Sequence, residues 1–154
     1  MILPERVLTF TLGGEGFAID AQCVREILEV PAITRVPGAP PFADGLVNVR
    51  GAIVPLADLS VAFDLERTCP DHEDTRVIVI ETLVADEPAT IGILAEKVNN
   101  VIAMDGVTVE AAPPVGMKWR SDFITGIARR DGRFVILPDL ARILAEHLAQ
   151  SAHA

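Results

Sequence analysis

The chain has 154 residues, half of them hydrophobic, and 13 basic against 22 acidic side chains give it a formal charge of -9. That length suits one domain or two small subdomains, and it buries about 68–70% of the unfolded surface, so no covalent or metal staple is required and long disorder is excluded. The acidic balance opposes binding to a phosphate backbone, so neither nucleic acid nor direct contact with an anionic membrane surface is expected.

Val7-Leu8-Thr9-Phe10-Thr11-Leu12 has the β-branched and aromatic content of a strand. Gly13-Gly14-Glu15-Gly16 reads as a hairpin turn, and Phe17-Ala18-Ile19 resumes extended chain. Asp20 is placed to cap a short helical turn over Ala21 to Val24, and Arg25 to Val30, stopped by Pro31, reads as a strand or as the end of that helix, with strand favoured. Pro37-Gly38-Ala39-Pro40-Pro41 is a loop, because its prolines cannot join a ladder. From Gly45 to Leu59, two β-rich runs flank Arg50-Gly51, where glycine can supply the positive φ of a tight turn. Asn48 and Arg50 stand two residues apart before that turn and are expected on one face of the strand. Ser60 to Leu65 is short and partly apolar, and Glu66 to Thr75 is a polar connector holding Cys69, Pro70 and His72.

Arg76 to Glu81 is a continuous apolar run bounded by charges, which predicts a buried strand. Asp86-Glu87-Pro88 predicts a turn, and Thr90 to Ala95 a further strand. Short β segments follow at Val98 to Met104 and Val107 to Val109, around Asp105-Gly106. Ala111 to Arg120 is a proline-containing loop carrying the lone tryptophan, Trp119. Phe123 to Ala128 and Arg133 to Leu137 flank Asp131-Gly132, a hairpin signal. Asp139 caps a helix from Leu140 to about Ala149, with Leu140, Ile143, Leu144 and Leu148 on one face.

Many short strands and one terminal helix predict an all-β barrel or sandwich. An internal repeat sharpens this. Phe42, Gly45, Gly51, Asp58 and Leu59 recur with identical spacing as Phe123, Gly126, Gly132, Asp139 and Leu140. Phe17, Ile19, Val24 and Ile27 recur in the same way, at a slightly smaller offset, as Ile91, Ile93, Val98 and Val101. Two similar β units, one on each side of the connector, are expected.

Catalytic chemistry is not indicated. A nucleophile needs a neighbouring base, usually histidine, yet His147 and His153 lie in the final helix and tail and His72 in the connector. Cys69-Pro70-Asp71-His72 could form half of a metal site, but no second pair exists to close it. Asp58 and Asp139 share one repeat position before a leucine, so capping is the simpler account of both. The expectation is no enzyme, no metal and no cofactor. With Cys23 and Cys69 the only cysteines and no signal peptide at Met1 to Arg6, a reduced cytoplasmic chain without a structural disulfide is expected. No run approaches the roughly 18 apolar residues of a membrane helix.

Polar residues inside aliphatic strands stand out, namely Glu26, Asn48 and Arg50. A half-buried charge alone is costly, so Glu26 and Arg50 are expected to pair across the first unit. Gly51, Gly126, Gly132, Asp58 and Asp139 belong to positions shared by both units and are assigned to turns and caps. Asn48 and Arg50 correspond to Arg129 and Asp131 in the second copy, and that asymmetry points to a partner.

These residues carry a resemblance to the CheW family of chemotaxis coupling proteins. The matching motifs are Phe17-Ala18-Ile19, Val24-Arg25-Glu26-Ile27, Ile33-Thr34-Arg35-Val36-Pro37, and Phe42 through Gly51 continuing to Pro55 and Asp58-Leu59. Val77-Ile78-Val79, Phe123-Ile124-Thr125-Gly126 and the final apolar helix extend it, so that one CheW-like domain is expected over 7–148, with approximate subdomains 7–65 and 76–148 and strand exchange between them allowed. The resemblance implies two SH3-like five-stranded β-barrels packed together, with a short C-terminal helix. It implies a non-catalytic adaptor, cytoplasmic and recruited to membrane arrays through its partners. Those partners would be the cytoplasmic hairpin tip of a methyl-accepting chemoreceptor and the regulatory domain of the histidine kinase CheA, with exposed aliphatics at barrel ends facing the kinase. The implied receptor-facing positions are Val24, Glu26, Gly45, Asn48 and Arg50. Ala95-Glu96, Pro138 and Asp86-Glu87-Pro88 depart from the family pattern, and the end of the chain leaves no room for a receiver domain. The alternatives are the same module in another chemosensory-type pathway, such as twitching motility or second-messenger control, or a small β-barrel enzyme or ligand carrier.

Overall fold

The computed structural model describes residues 3–113 and 120–151; Trp119, His153 and the side chain of Leu148 lie outside the described residues. Strands β1 (Arg6–Leu12) and β2 (Glu15–Asp20) are joined by Gly13-Gly14, both at positive φ. Asp20 accepts the Gln22 N–H and starts a single 3₁₀ turn, which releases the chain into β3 (Val24–Glu29). β4 (Thr34–Arg35), β5 (Gly45–Val49), β6 (Ala52–Ala57) and the one-turn helix α1 (Leu59–Ala62) complete the first half. The second half contains β7 (Arg76–Val84), β8 (Glu87–Ala95), β9 (Lys97–Ala103), β10 (Thr108–Glu110), β11 (Ile124–Arg130), β12 (Arg133–Pro138) and helix α2 (Leu140–Ser151).

The turn expected at Asp86-Glu87-Pro88 sits earlier, on Ala85-Asp86, whose φ angles are 50° and 66°. Glu87 and Pro88 already pair with Val84 and Leu83. Proline is tolerated there because β8 meets its other neighbour only further on, at Gly92 and Ile93.

One sheet runs β10-β11-β12-β2-β1-β9 and the other β4-β5-β6-β8-β7-β3. The repeat makes these two orders equivalent strand for strand. Each sheet nevertheless draws on both halves of the chain. The hairpin β1–β2 completes the sheet built from β9 to β12, and β7–β8 completes the one built from β3 to β6. The joins are parallel pairings, Ile136 opposite Phe17 and Leu56 opposite Gly92, as expected where strands distant in sequence meet.

Packing follows from this exchange. Val47, Val54, Leu56, Val77, Val79 and Leu94 fill the interior of one sheet, with Leu28 of its edge strand against them. Val7, Ala18, Met104, Ala128 and Leu137 fill the other, with Ile102 and Val109 from opposite edges. Opposite edges reaching one interior means that the sheets curl, each with five longer strands and a sixth of two or three residues. The largest cluster lies between the sheets and contains Phe10, Phe17, Phe42, Phe63 and Phe123 with Ile78, Ile80, Ile143 and Leu144. β7 therefore sends Val77 and Val79 inward and Ile78 and Ile80 to the shared core, which is why its sequence reads as unbroken apolar residues.

The repeated residues hold matching positions. Asp58 N–H and Asp139 N–H donate to the carbonyls of Phe42 and Phe123, both at 2.8 Å. Gly45 and Gly126 let a neighbouring segment pass closely, since a Cβ would lie 3.0 Å from Ile33 Cγ2 and 2.7 Å from Val109 Cγ1 respectively. Helix α2 is capped by Asp139, whose carboxylate accepts the Arg142 N–H, and Arg120 ties it down through Glu146 and Asp122 while lying over the Phe123 ring. Its His147 ring stacks on Phe42 at 4.3 Å and stands 5.7 Å from Phe123, so the helix bridges the two equivalent phenylalanines.

Cys23 closes the first 3₁₀ turn and donates its thiol to the Asp20 carbonyl. Burial, reinforced by the Asp20 charge, pushes this thiol up to about 11, whereas Cys69 is exposed. Because the thiolate is the nucleophile, iodoacetamide at neutral pH is expected to alkylate Cys69 and leave Cys23 nearly untouched in the native protein. Peptide mapping by mass spectrometry checks this, and equally fast labelling of both would contradict it.

Candidate docking site

The β5–β6 turn places Arg50 at φ 52° and Gly51 at φ 85°, the pairing of positive angles found in tight hairpins whose twist matches the strands. Asn48 Oδ1 accepts the Gly51 N–H at 2.9 Å, so the asparagine steadies the turn locally. This changes the expected geometry. Arg50 is a turn residue, not a strand residue, and it does not share a strand face with Asn48.

Arg50 reaches across to Glu26 on β3 with a bidentate contact, Nε to Oε2 at 3.0 Å and Nη2 to Oε1 at 3.2 Å. The two elements are not neighbours in their sheet, so the pair spans the mouth between them. The pairing expected from the sequence is present, but not its depth: the Arg50 side chain is 80% exposed and that of Glu26 23%. Hydrogen bonding to Glu26 raises the Arg50 pKa above its ordinary value, so the cation persists at every accessible pH. An ion pair at so exposed a position adds little to stability, so this one shapes a surface more than it stabilises the fold.

Apolar residues surround the pair. Ile53 pairs with Asn48 across the ladder and is 73% exposed, and Ile27 is exposed beside Glu26 on β3. A groove of about 450 Å³ runs between the two elements, lined by Glu26, Leu28, Pro31, Asn48 and Arg50. Val24 and Gly45 stand behind this surface. Val24 packs against the shared core and Gly45 is buried, so the structure brings Glu26, Asn48 and Arg50 together at the surface and places the other two as support. Ile27 and Ile53 escaped the sequence reading because nothing in an aliphatic run marks which member faces water.

The residues assigned to turns and caps hold those places, with Gly126 the exception. Gly51 and Gly132 adopt positive φ, while Gly126 serves close approach rather than a turn. Asp58, 3% exposed, accepts from Ser60 N–H at 3.1 Å, Ser60 Oγ at 2.5 Å and Arg67 Nε at 3.2 Å. Arg67 also reaches the Pro41 carbonyl at 3.2 Å and so pins the connector to the first unit, a role its position in a polar stretch did not disclose. In the same connector His72 Nδ1 accepts the Asp74 N–H. Among the described residues, no group of three or more His, Cys, Asp or Glu could hold a metal ion. A fixed ion pair beside exposed aliphatics has the chemistry of a binding surface.

Comparison with known proteins identifies the family. The CheW-like domain family matches residues 6–147. The chain is 32% identical over 141 residues to the chemotaxis protein CheW of Klebsiella aerogenes, covering 92% of this chain and 82% of that one. It is 29% identical over 151 residues to the CheW of Bacillus subtilis, with 96% and 92% covered. The crystal structure of the scaffolding protein TtCheW from Thermoanaerobacter tengcongensis matches with a TM-score of 0.77 at 28% identity, over 94% of this chain and 90% of that one.

Proposed function

The chain belongs to the CheW-like domain family and is a chemotaxis scaffold, and from that membership we propose that it couples chemoreceptor tips to a CheA-type histidine kinase without catalysing a reaction. The observation that carries this reading is the exposed Glu26–Arg50 pair set among Ile27, Ile53 and the Asn48 turn. Interface centres take their affinity from a few apolar anchors and their register from oriented polar groups, and this face offers both.

The cytoplasmic hairpin tip of a methyl-accepting receptor docks on Glu26, Asn48 and Arg50, with Val24 and Gly45 holding β3 and β5 behind them. The kinase regulatory domain meets exposed aliphatics at the ends of the sheets, for which Leu83 and Val101 are the candidates. The protein works in the cytoplasm and reaches membrane arrays through these partners. No helix among the described residues is long and apolar enough to cross a membrane, in keeping with recruitment through others. A pull-down with an immobilised receptor signalling-tip fragment tests the reading. Saturable retention of the folded chain is expected; absence of retention at tens of micromolar would sink it.

A further inference from the structure

The groove beside the Glu26–Arg50 pair occurs twice. The repeat carries Glu26 onto Asn100 and Leu28 onto Ile102 at the offset of its first segment, and Val49 onto Arg130 and Arg50 onto Asp131 at the offset of its second. All of these residues line grooves, the first set one of about 450 Å³ and the second set one of about 900 Å³. The two grooves also differ in how their walls are tied. In the first unit a bidentate ion pair bridges β3 to the β5–β6 turn, whereas asparagine and aspartate stand at the equivalent positions in the second and form no such bridge.

The exposed apolar anchor is repeated too. Ile53 maps onto Phe134, which is 59% exposed. The Arg129 guanidinium lies over the Phe134 ring at 5.4 Å from its centroid and is held in place by Glu110 at 3.0 Å. Charge differs most. Arg129, Arg130 and Arg133 crowd the β11–β12 hairpin, and Lys97 lines the groove with Arg130 and Arg133, in a chain whose formal charge is -9. Arg130 stands 3.9 Å from Asp131, while Arg133 and Lys97 have no carboxylate within ion-pair distance among the described residues. Glu15 and Asp131 are the groove's own acidic residues.

We propose that this second groove docks an extended protein segment in which carboxylates flank an aromatic or aliphatic side chain. The apolar residue packs on Phe134 and the carboxylates meet Arg130, Arg133 and Lys97. Arginine and aromatic residues are enriched at interface centres, and charge-assisted bonds to guanidinium fix register. An acidic segment is repelled elsewhere on this acidic surface, so the local cations also select where it lands. The surface is separate from the Glu26–Arg50 face and does not depend on the receptor reading.

Fluorescence anisotropy of the full chain with a labelled peptide alternating glutamate with leucine and phenylalanine tests the proposal, with the lysine-for-glutamate peptide as control. Saturable binding of the acidic peptide is expected, with at least a tenfold loss in the Arg130→Glu/Arg133→Glu variant. A comparable loss in the separate variant Phe134→Ser and unchanged binding in Arg50→Glu are also expected. No saturable binding, equal binding of the lysine peptide, or indifference of folded Arg130→Glu/Arg133→Glu to the substitution would each overturn it. Failure of receptor binding in Arg50→Glu bears only on the first face, so the two readings fail separately.

Discussion

Arg50→Glu is expected to weaken binding to a receptor signalling-tip fragment by about thirtyfold or more, the scale of a hot-spot residue, and to leave the fold intact. The substitution sets a carboxylate opposite Glu26, so attraction across the mouth becomes repulsion and both the fixed cation and its orientation are lost. The fold survives because the Arg50 side chain is mostly solvated, and an ion pair made by such a cation adds little to stability. The left-handed backbone at position 50 costs glutamate what it costs arginine, and the Asn48 bond that shapes the turn is made to Gly51. Circular dichroism with a melting curve is the control for folding, and the fragment pull-down is the readout. The charge-swapped variant Glu26→Arg/Arg50→Glu then separates two contributions. Recovery of binding means that the partner reads the shape the pair imposes, and continued loss means that it reads the Arg50 cation. If the folded single variant binds as well as the parent, the pair has no part in docking.

The second large effect lies in the shared core. Phe17→Ala is expected to cost about 3–5 kcal/mol, the range for deleting a fully buried aromatic ring, and to lower the melting temperature by about 6–20 °C. Phe17 is wholly buried, with its ring 5.9 Å from Phe10 and 5.2 Å from Phe63. It also stands at the parallel join to Ile136. Phe63 follows α1, which continues from β6 of the other sheet, so the cavity opens where the two sheets meet. Loss of hydrogen-exchange protection in β5–β6 and β11–β12 together, within one cooperative transition, is the expected signature. Independent loss in the β11–β12 sheet alone would mean that the units are energetically separate.

Local chemistry made much of this fold legible. Arg50-Gly51 and Asp131-Gly132 announce their hairpins because few residues adopt positive φ, and Asp58 and Asp139 announce their helices because a carboxylate can satisfy free N–H groups. The repeat emerged from the same residues. Exchange between the units was allowed for, but which hairpins move was hidden, since a periodicity fixes which side of a strand is apolar but not which distant strand lies beside it. Pro88 misled for a related reason: it signals a turn unless one knows that β8 pairs with β6 only further along, at Gly92 and Ile93.

The candidate site was partly legible. Opposite charges in aliphatic strands pointed to the Glu26–Arg50 pair, yet its exposure depends on a turn that swings Arg50 outward, and Asn48 proved to be occupied by its own turn. Gly45 belongs with Gly126 as a point of close approach, whereas the sequence reading set Gly45 toward the receptor and Gly126 in a turn. Ile53 and Phe134 became visible only once exposure on β6 and β12 could be seen.

Coupling is the central claim, and co-sedimentation tests it most directly. Receptor-tip assemblies are spun down with a CheA-type kinase in the presence and absence of this chain. The expected result is that kinase enters the pellet in proportion to the chain, and that Arg50→Glu lowers both together. Kinase that pellets equally well without the chain, or a chain that pellets with receptor but recruits no kinase, would contradict an adaptor role.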